Sequence, residues 1–220
     1  MIIIVIFWIS VSLILHTYVV YPVLLYIIGA LTGSEETNLH DGYHPAVSVL
    51  MAAHNEEDVI REKTDALFTS SYQTEIIIGS DASTDRTNLI LDEMRQQHPE
   101  LKIIKYKERL GKPVIINQLS ELASGEILII TDANVIPEKD TIANIIRNFS
   151  DKSVGLTDSR IVNRNTRKDG ISAPEVVYNK IESSLKHTEG LLWGTMMGPF
   201  GGFYADNVHA YTKIVSKYIA

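Results

Sequence analysis

The chain has 220 residues, 45% of them hydrophobic and 21% charged, with a formal net charge of −7 and no cysteine. That is enough for one core of moderate size. It excludes a disulfide framework and a thiolate metal site, and the acidic balance argues against nucleic acid as a partner, so a small anionic ligand needs a local site.

The first predicted element is the N-terminal stretch. Residues 1–34 contain no Asp, Glu, Lys or Arg, and 1–31 are dominated by apolar and aromatic side chains. The stretch is long enough to cross the ~30 Å hydrocarbon layer as one tilted helix. "MIIIVIFWIS" lacks the basic start of a secretory signal, so 1–31 reads as a transmembrane anchor rather than a cleaved leader or a helix packed on a soluble domain. Trp8, Tyr18, Tyr21 and Tyr26 are candidate interfacial rings. His16 reads as a polar side chain bonded within the span or at its edge, and Pro22 as a kink. Neither the N-terminus nor "GSEETNLHDGYHP" carries Lys or Arg, so charge does not set the orientation.

A polar linker, 32–45, follows, and 46–220 then alternates apolar runs with helical patterns. This is the order of an α/β domain with a mainly parallel sheet flanked by helices. Strands are expected at Val47 to Ala53, Glu75 to Ser80, Leu101 to Tyr106 and Glu126 to Thr131. Helices are expected from Glu56 to about Ser70, from Thr84 or Asp85 as cap to about Gln97, from Lys112 to Ala123, and from Pro137 and Glu138 to about Phe149. "SVGLTDSRIV" reads as another strand, Asn163 to Gly170 as a solvated loop, and Ile171 to Leu192 as a long helix.

In such sheets ligands gather at the strand ends. The first tip is "MAAHNEE", where small residues let a planar base approach and His54, Asn55 or Glu56 can contact base or ribose; alone, Asn55 equally reads as a helix cap and His54 as a surface histidine. At the second, "GSDASTDRT", Asp81 ends an apolar strand and needs a partner, while Asp85 reads as a cap. At the third, "ERLGKPVIIN", Lys112 follows a Gly turn and can reach a diphosphate as a point charge; it is not a GxxxxGK[ST] loop. At the fourth, "EILIITDANV", Asp132 and Asn134 flank Ala133 after a buried strand. One carboxylate and one amide oxygen make a weak site for Mg²⁺ or Mn²⁺ that substrate phosphates complete, or else an Asx turn into the next helix.

Together, "SVLMAAHNEEDVI", "EIIIGSDASTDRT", "GKPVIIN", "ASGEILIITDANVIP" and "GTMMGPFGGFYA" resemble the family 2 glycosyltransferases, inverting enzymes of the GT-A fold, in particular membrane-associated members that build surface polysaccharides. The resemblance covers roughly Val47 to Ala205, in order and with matching spacing. It implies a GT-A-like domain behind one transmembrane helix, a UDP-sugar donor and a glycan or lipid-linked acceptor. Ala53, His54 and Glu56 would border uracil and ribose, Asp81 would contact the base, and Lys112 would lie near the nucleotide. Asp132 and Asn134 would hold the metal and donor diphosphate, and Gly201 and Gly202 would close against donor sugar and acceptor. The implied location is a bacterial inner membrane with the catalytic domain cytoplasmic.

Three departures stand out. Ala82 replaces the glycine of the usual DGS sequence, and Asn134 replaces the second Asp of DxD, removing one negative charge. The acidic motif that supplies the family's general base, and the QxxRW motif, do not follow the GGxYA-like segment; Asp206 is the only acid after Glu189 and nothing marks it as that base. The catalytic base is therefore unassigned. The expectation is a donor-binding half-domain whose missing parts come from further chain or a partner subunit, or alternatively a membrane-anchored nucleotide-sugar-binding pseudoenzyme without turnover.

Overall fold

The structure, a computed structural model, describes residues 1–32, 42–162, 172–195, 198–199 and 201–211, with side chains for all of these but 172–180. The expected loop 163–170 and most of the expected linker lie outside the described residues. The chain forms two compact units, one made of 1–37 with 162–198 and the other of 38–161 with 199–220. The sequence reading ran a single domain through 46–220, whereas the long helix after residue 171 groups with the N-terminal helix.

In the first unit, Ile2–Leu15 (α1) and Tyr21–Thr32 (α2) are joined by a π-helical turn, His16–Val20. The wide turn falls just before Pro22, which has no N–H to give and whose ring crowds the preceding turn. The 31 residues Ile2–Thr32 are long and apolar enough to cross a membrane by length and composition. Ser172–Trp193 (α7) packs on α2: Glu189 is buried and takes the Tyr21 hydroxyl proton in a hydrogen bond, and the Thr188 methyl fills the space beside Gly29.

The second unit is a six-stranded sheet between two helical layers. Val47–Ala53 (β1), Glu75–Asp81 (β2), Lys102–Tyr106 (β3), Ile127–Thr131 (β4), Leu156–Asp158 (β5) and Phe203–Asn207 (β6) lie in the order β3-β2-β1-β4-β6-β5. The first four are parallel, and β6 runs antiparallel to both β4 and β5. Alternate side chains enter opposite layers. Val49, Met51, Ile76, Ile78, Ile127 and Ile129 pack under Ile60–Phe68 (α3), Thr87–Gln97 (α4) and Thr141–Arg147 (α6). Leu50, Ile77, Leu128 and Ile130 pack against Ile115, Ile116 and Leu119 of Lys112–Leu122 (α5). Each such buried Leu or Ile contributes roughly 1.5–3 kcal/mol.

The strands β1–β4 fall within a residue of their expected bounds. Two helices start later than expected. α3 begins at Ile60 because the amides of Glu56 and Glu57 bond instead to Thr87 Oγ1 and Asp85 Oδ2, at 2.8 and 3.1 Å. α6 begins at Thr141, so Pro137 and Glu138 do not open it; Lys139 and Asp140 form a turn, closed by the Thr141 amide on the Glu138 carbonyl, and the Lys139 carbonyl is taken by the Ser71 amide. Only three residues of "SVGLTDSRIV" pair as a strand, and β6 was not expected as a strand at all.

Candidate functional site

The carboxyl ends of β1, β2 and β4 and the start of β6 meet at one edge of the sheet. The tips of β1 and β2 are laced together. His54 Nδ1 donates to the Asp81 carbonyl at 2.6 Å, the Asn55 side-chain oxygen accepts the Thr84 amide at 2.8 Å, and Asp85 accepts both its own helix's Thr87 amide and the Glu57 amide. Asp85 thus holds the start of that helix through the Thr87 amide, one residue ahead of the N-cap position, Arg86. Asn55 (φ 56°) and Ala82 (φ 50°) both sit in the left-handed region. Asparagine tolerates it through its local hydrogen bonds; alanine has no such compensation, and Ala82 is the position where the resemblance drawn from the sequence leads one to expect glycine.

Asp81 is buried, and its two oxygens accept the backbone amides of Leu110 and Gly111 at 2.7 and 2.9 Å. That answers its need for a partner. It also fixes the turn in which Gly111, at φ 84°, launches α5, and therefore fixes where Lys112 begins. The Lys112 ammonium bonds to Asp132 Oδ1 and, at 3.2 Å, to the Gly201 carbonyl. The third and fourth tips and the segment before β6 are thus tied together through one ammonium, and the half-exposed Asp132–Lys112 pair faces solvent.

Two expected contacts take a different form. The Ala53 methyl lies in the core, so any approach of a base there meets its backbone. Gly202 is small because of its own neighbours: a Cβ there would lie 2.5 Å from Ile161 Cδ1 and 3.1 Å from Val135 Cγ2. Its carbonyl accepts both the Asp132 amide and the Thr131 hydroxyl at 3.0 Å. Gly201, at φ 79° with open space where a Cβ would point, is the residue with a free face. Glu56 faces the same edge; burial, then the Asp132 and Asp85 carboxylates, push its carboxyl above the ordinary range.

Asp206 is not at this edge. Because β6 runs antiparallel to β4, Thr131 pairs with Phe203 while Leu128 pairs with Asp206. Three residues of strand, about 10 Å, separate it from the site. Burial raises its carboxyl to about 6.

Sequence reasoning missed Lys63. It is fully buried; its ammonium donates to Thr131 Oγ1 at 2.7 Å and to the Val135 carbonyl, and lies 4.9 Å from the centre of the Phe203 ring. Burial lowers it to about 7, while the Asp132 carboxylate pulls the other way. The signal was present: the buried residues of α3 are Ile60, Lys63, Thr64 and Leu67, the i, i+3, i+4, i+7 stripe of a core-facing helix, with a lysine in it.

The sequence model of Glycosyl transferase family 2 matches residues 48–209. The chain belongs to this family. A beta-monoglucosyldiacylglycerol synthase of Synechocystis sp. is 33% identical over 122 residues, which are 53% of this chain and 26% of that protein. This glycosyltransferase-family chain therefore matches about a quarter of the length of such a relative. Among solved structures, a mannosyltransferase from Pyrobaculum calidifontis, in complex with GDP-Man and Mn²⁺, superposes with a TM-score of 0.69 at 27% identity, covering 87% of this chain and 53% of that one. The glucosyl-3-phosphoglycerate synthase of Mycobacterium tuberculosis, in complex with Mn²⁺, UDP and phosphoglyceric acid, shares the fold at a TM-score of 0.50 and 21% identity over 75% of this chain and 56% of that one. The parallel sheet with its antiparallel insertion is thus the GT-A fold.

The donor set suits a divalent metal that arrives with its nucleotide. Among the described residues no three His, Cys, Asp or Glu side chains gather to hold an ion. Asp132 and the exposed Asn134 offer one carboxylate and one amide oxygen. Hard cations of this kind complete their shells with phosphate oxygens and water.

Proposed function

We propose that the sheet domain binds the diphosphate of a nucleotide-sugar, with Asp132 and Asn134 as ligands to Mg²⁺ or Mn²⁺, and that the full protein transfers the sugar with inversion to a lipid-linked or glycan acceptor at a membrane. The observation that carries this reading is the meeting of Lys112, Asp132 and the Gly201 carbonyl at one strand edge. A cation bound there with the diphosphate supplies positive charge against the departing nucleotide. Lys112 adds a point charge from the helix start. Asp81 keeps the Leu110–Gly111 turn in place, and His54, its Nδ1 engaged with the Asp81 carbonyl, turns its other nitrogen and ring face toward a base.

Membrane attachment through Ile2–Thr32 is part of the proposal, supported by the length and composition of that helix and by the glycolipid-synthase names of the relatives. Uridine is the proposed base; guanosine is the second reading, favoured by the GDP-Man in the mannosyltransferase structure.

The experiment incubates the full chain in membranes with Mn²⁺ and UDP-glucose, UDP-GlcNAc or GDP-mannose, and measures binding and released nucleoside diphosphate. Consumption of a UDP-sugar supports the reading, and preference for GDP-mannose moves the base assignment. Binding without turnover favours the membrane-anchored pseudoenzyme. No binding of any donor overturns the reading.

A further inference from the structure

We infer that Lys63 is a positioning residue: its ammonium, reaching from α3, pins both ends of the Thr131–Val135 turn and so holds Asp132 and Asn134 out for the nucleotide diphosphate. The inference rests on the donor reading above and assigns a residue that makes no contact with the donor itself.

Stability alone does not favour a lysine here. The side chain is wholly buried, removing an ammonium from water is costly, and an unbranched apolar side chain would fill the same space without that cost. What the ammonium adds is specific. It donates to the Thr131 hydroxyl, the last group of β4, and to the Val135 carbonyl, the far end of the turn. Between these two points the Val135 amide bonds back to the Asp132 carbonyl at 3.4 Å, and Ala133 is buried. Only the side chains of Asp132 and Asn134 are left to project.

The same post reaches β6. Thr131 Oγ1, accepting from Lys63, has the Gly202 carbonyl at 3.0 Å and the Asp132 carbonyl at 3.2 Å as acceptors for its one proton, and the Phe203 ring covers the ammonium. The adjacent Gly201 carbonyl is the one that Lys112 holds. Replacing the ammonium by a methyl would therefore leave the Val135 carbonyl unbonded and free the turn to shift relative to the Gly201–Gly202 segment. Groups that orient metal ligands from behind typically matter about 10–100-fold in metal affinity.

The test compares Lys63→Met with Leu67→Ala, a buried residue one turn along the same helix whose apolar side chain can give the turn no hydrogen bond. In the full chain, UDP is titrated by calorimetry with Mn²⁺ and again with chelator, and amide hydrogen exchange is followed at 131–135. For Lys63→Met the expected result is about 10-fold weaker binding with Mn²⁺, little change in chelator, and faster exchange at the turn. Leu67→Ala should lower the melting temperature and leave the ratio of the two affinities unchanged. Equal loss in both conditions, or the same pattern in Leu67→Ala, overturns the inference, as does wild-type exchange and affinity in Lys63→Met. If the wild type binds no UDP, the donor reading fails, and exchange at the turn still decides whether Lys63 holds it.

Discussion

Asp132 and Asp206 sit on neighbouring strands and have opposite surroundings. Asp132 lies just past the end of β4, half-exposed, paired with Lys112 and backed by the buried Lys63. Asp206 lies near the end of β6, where burial raises it to about 6 with no offsetting cation among the described residues. The difference comes from strand direction. In a parallel strand the residues after the apolar run reach the ligand edge; in the antiparallel β6 the residues before it do. Gly201 and Gly202 therefore lie at the edge of the proposed site, and Asp206 lies toward the opposite edge.

The comparison breaks most visibly at Asp132. Asp132→Ala is expected to weaken UDP binding in Mn²⁺ about 100-fold or more while leaving the melting temperature within a few degrees, because the side chain is half-exposed and its loss opens no closed cavity. Titration calorimetry beside thermal unfolding checks both halves. Lys112→Met should cost roughly 10-fold, about 1.4 kcal/mol, since it removes one charge from the anion site and leaves the turn held by Asp81; its signature is a weaker dependence of UDP affinity on salt.

At the other end of β6 the expected effect is on stability alone. The folded-state carboxyl of Asp206, at about 6, holds its proton more tightly than an unfolded aspartate near ~3.9. Stability is therefore lost as pH rises from about 4 through 6. Scaled down for partial solvent exposure, the loss is of order 1 kcal/mol. Asp206→Asn should accordingly stabilise the fold by about that much at pH 8, give nothing at pH 4, and leave UDP affinity unchanged; a large fall in UDP affinity would place Asp206 in the site after all. The smallest effect belongs to Ala82→Gly, which relieves a left-handed alanine and should raise stability by about 0.5–1 kcal/mol in denaturant titrations.

The parallel half of the sheet was legible because each strand is an apolar run bounded by polar or turn residues, and because the tips carry residue types with few structural uses in such places. The placement of Asp132 beside Lys112 was legible only as an expectation of convergence; the Leu110 and Gly111 amides that satisfy Asp81 are backbone groups, which no side-chain pattern announces. β6 was hidden because "FYADN" is short and mixes buried and half-buried faces. The late start of α6 was hidden because Pro137 suits a first helical turn, but a tertiary hydrogen bond to the Lys139 carbonyl competes for the backbone there. Lys63 was hidden by its charge. A lysine in "REKTDALF" reads as solvated until the burial stripe is traced.

The most direct test follows Mn²⁺ itself by NMR. With UDP and a small fraction of Mn²⁺ added to the full chain in detergent, amide signals of Lys112, Asp132 and Gly201 are predicted to broaden first, with broadening falling steadily along β6 toward Asn207. Broadening centred on Asp206 or elsewhere in the fold, or none near Asp132, would contradict the convergence of these strand ends on a single diphosphate site.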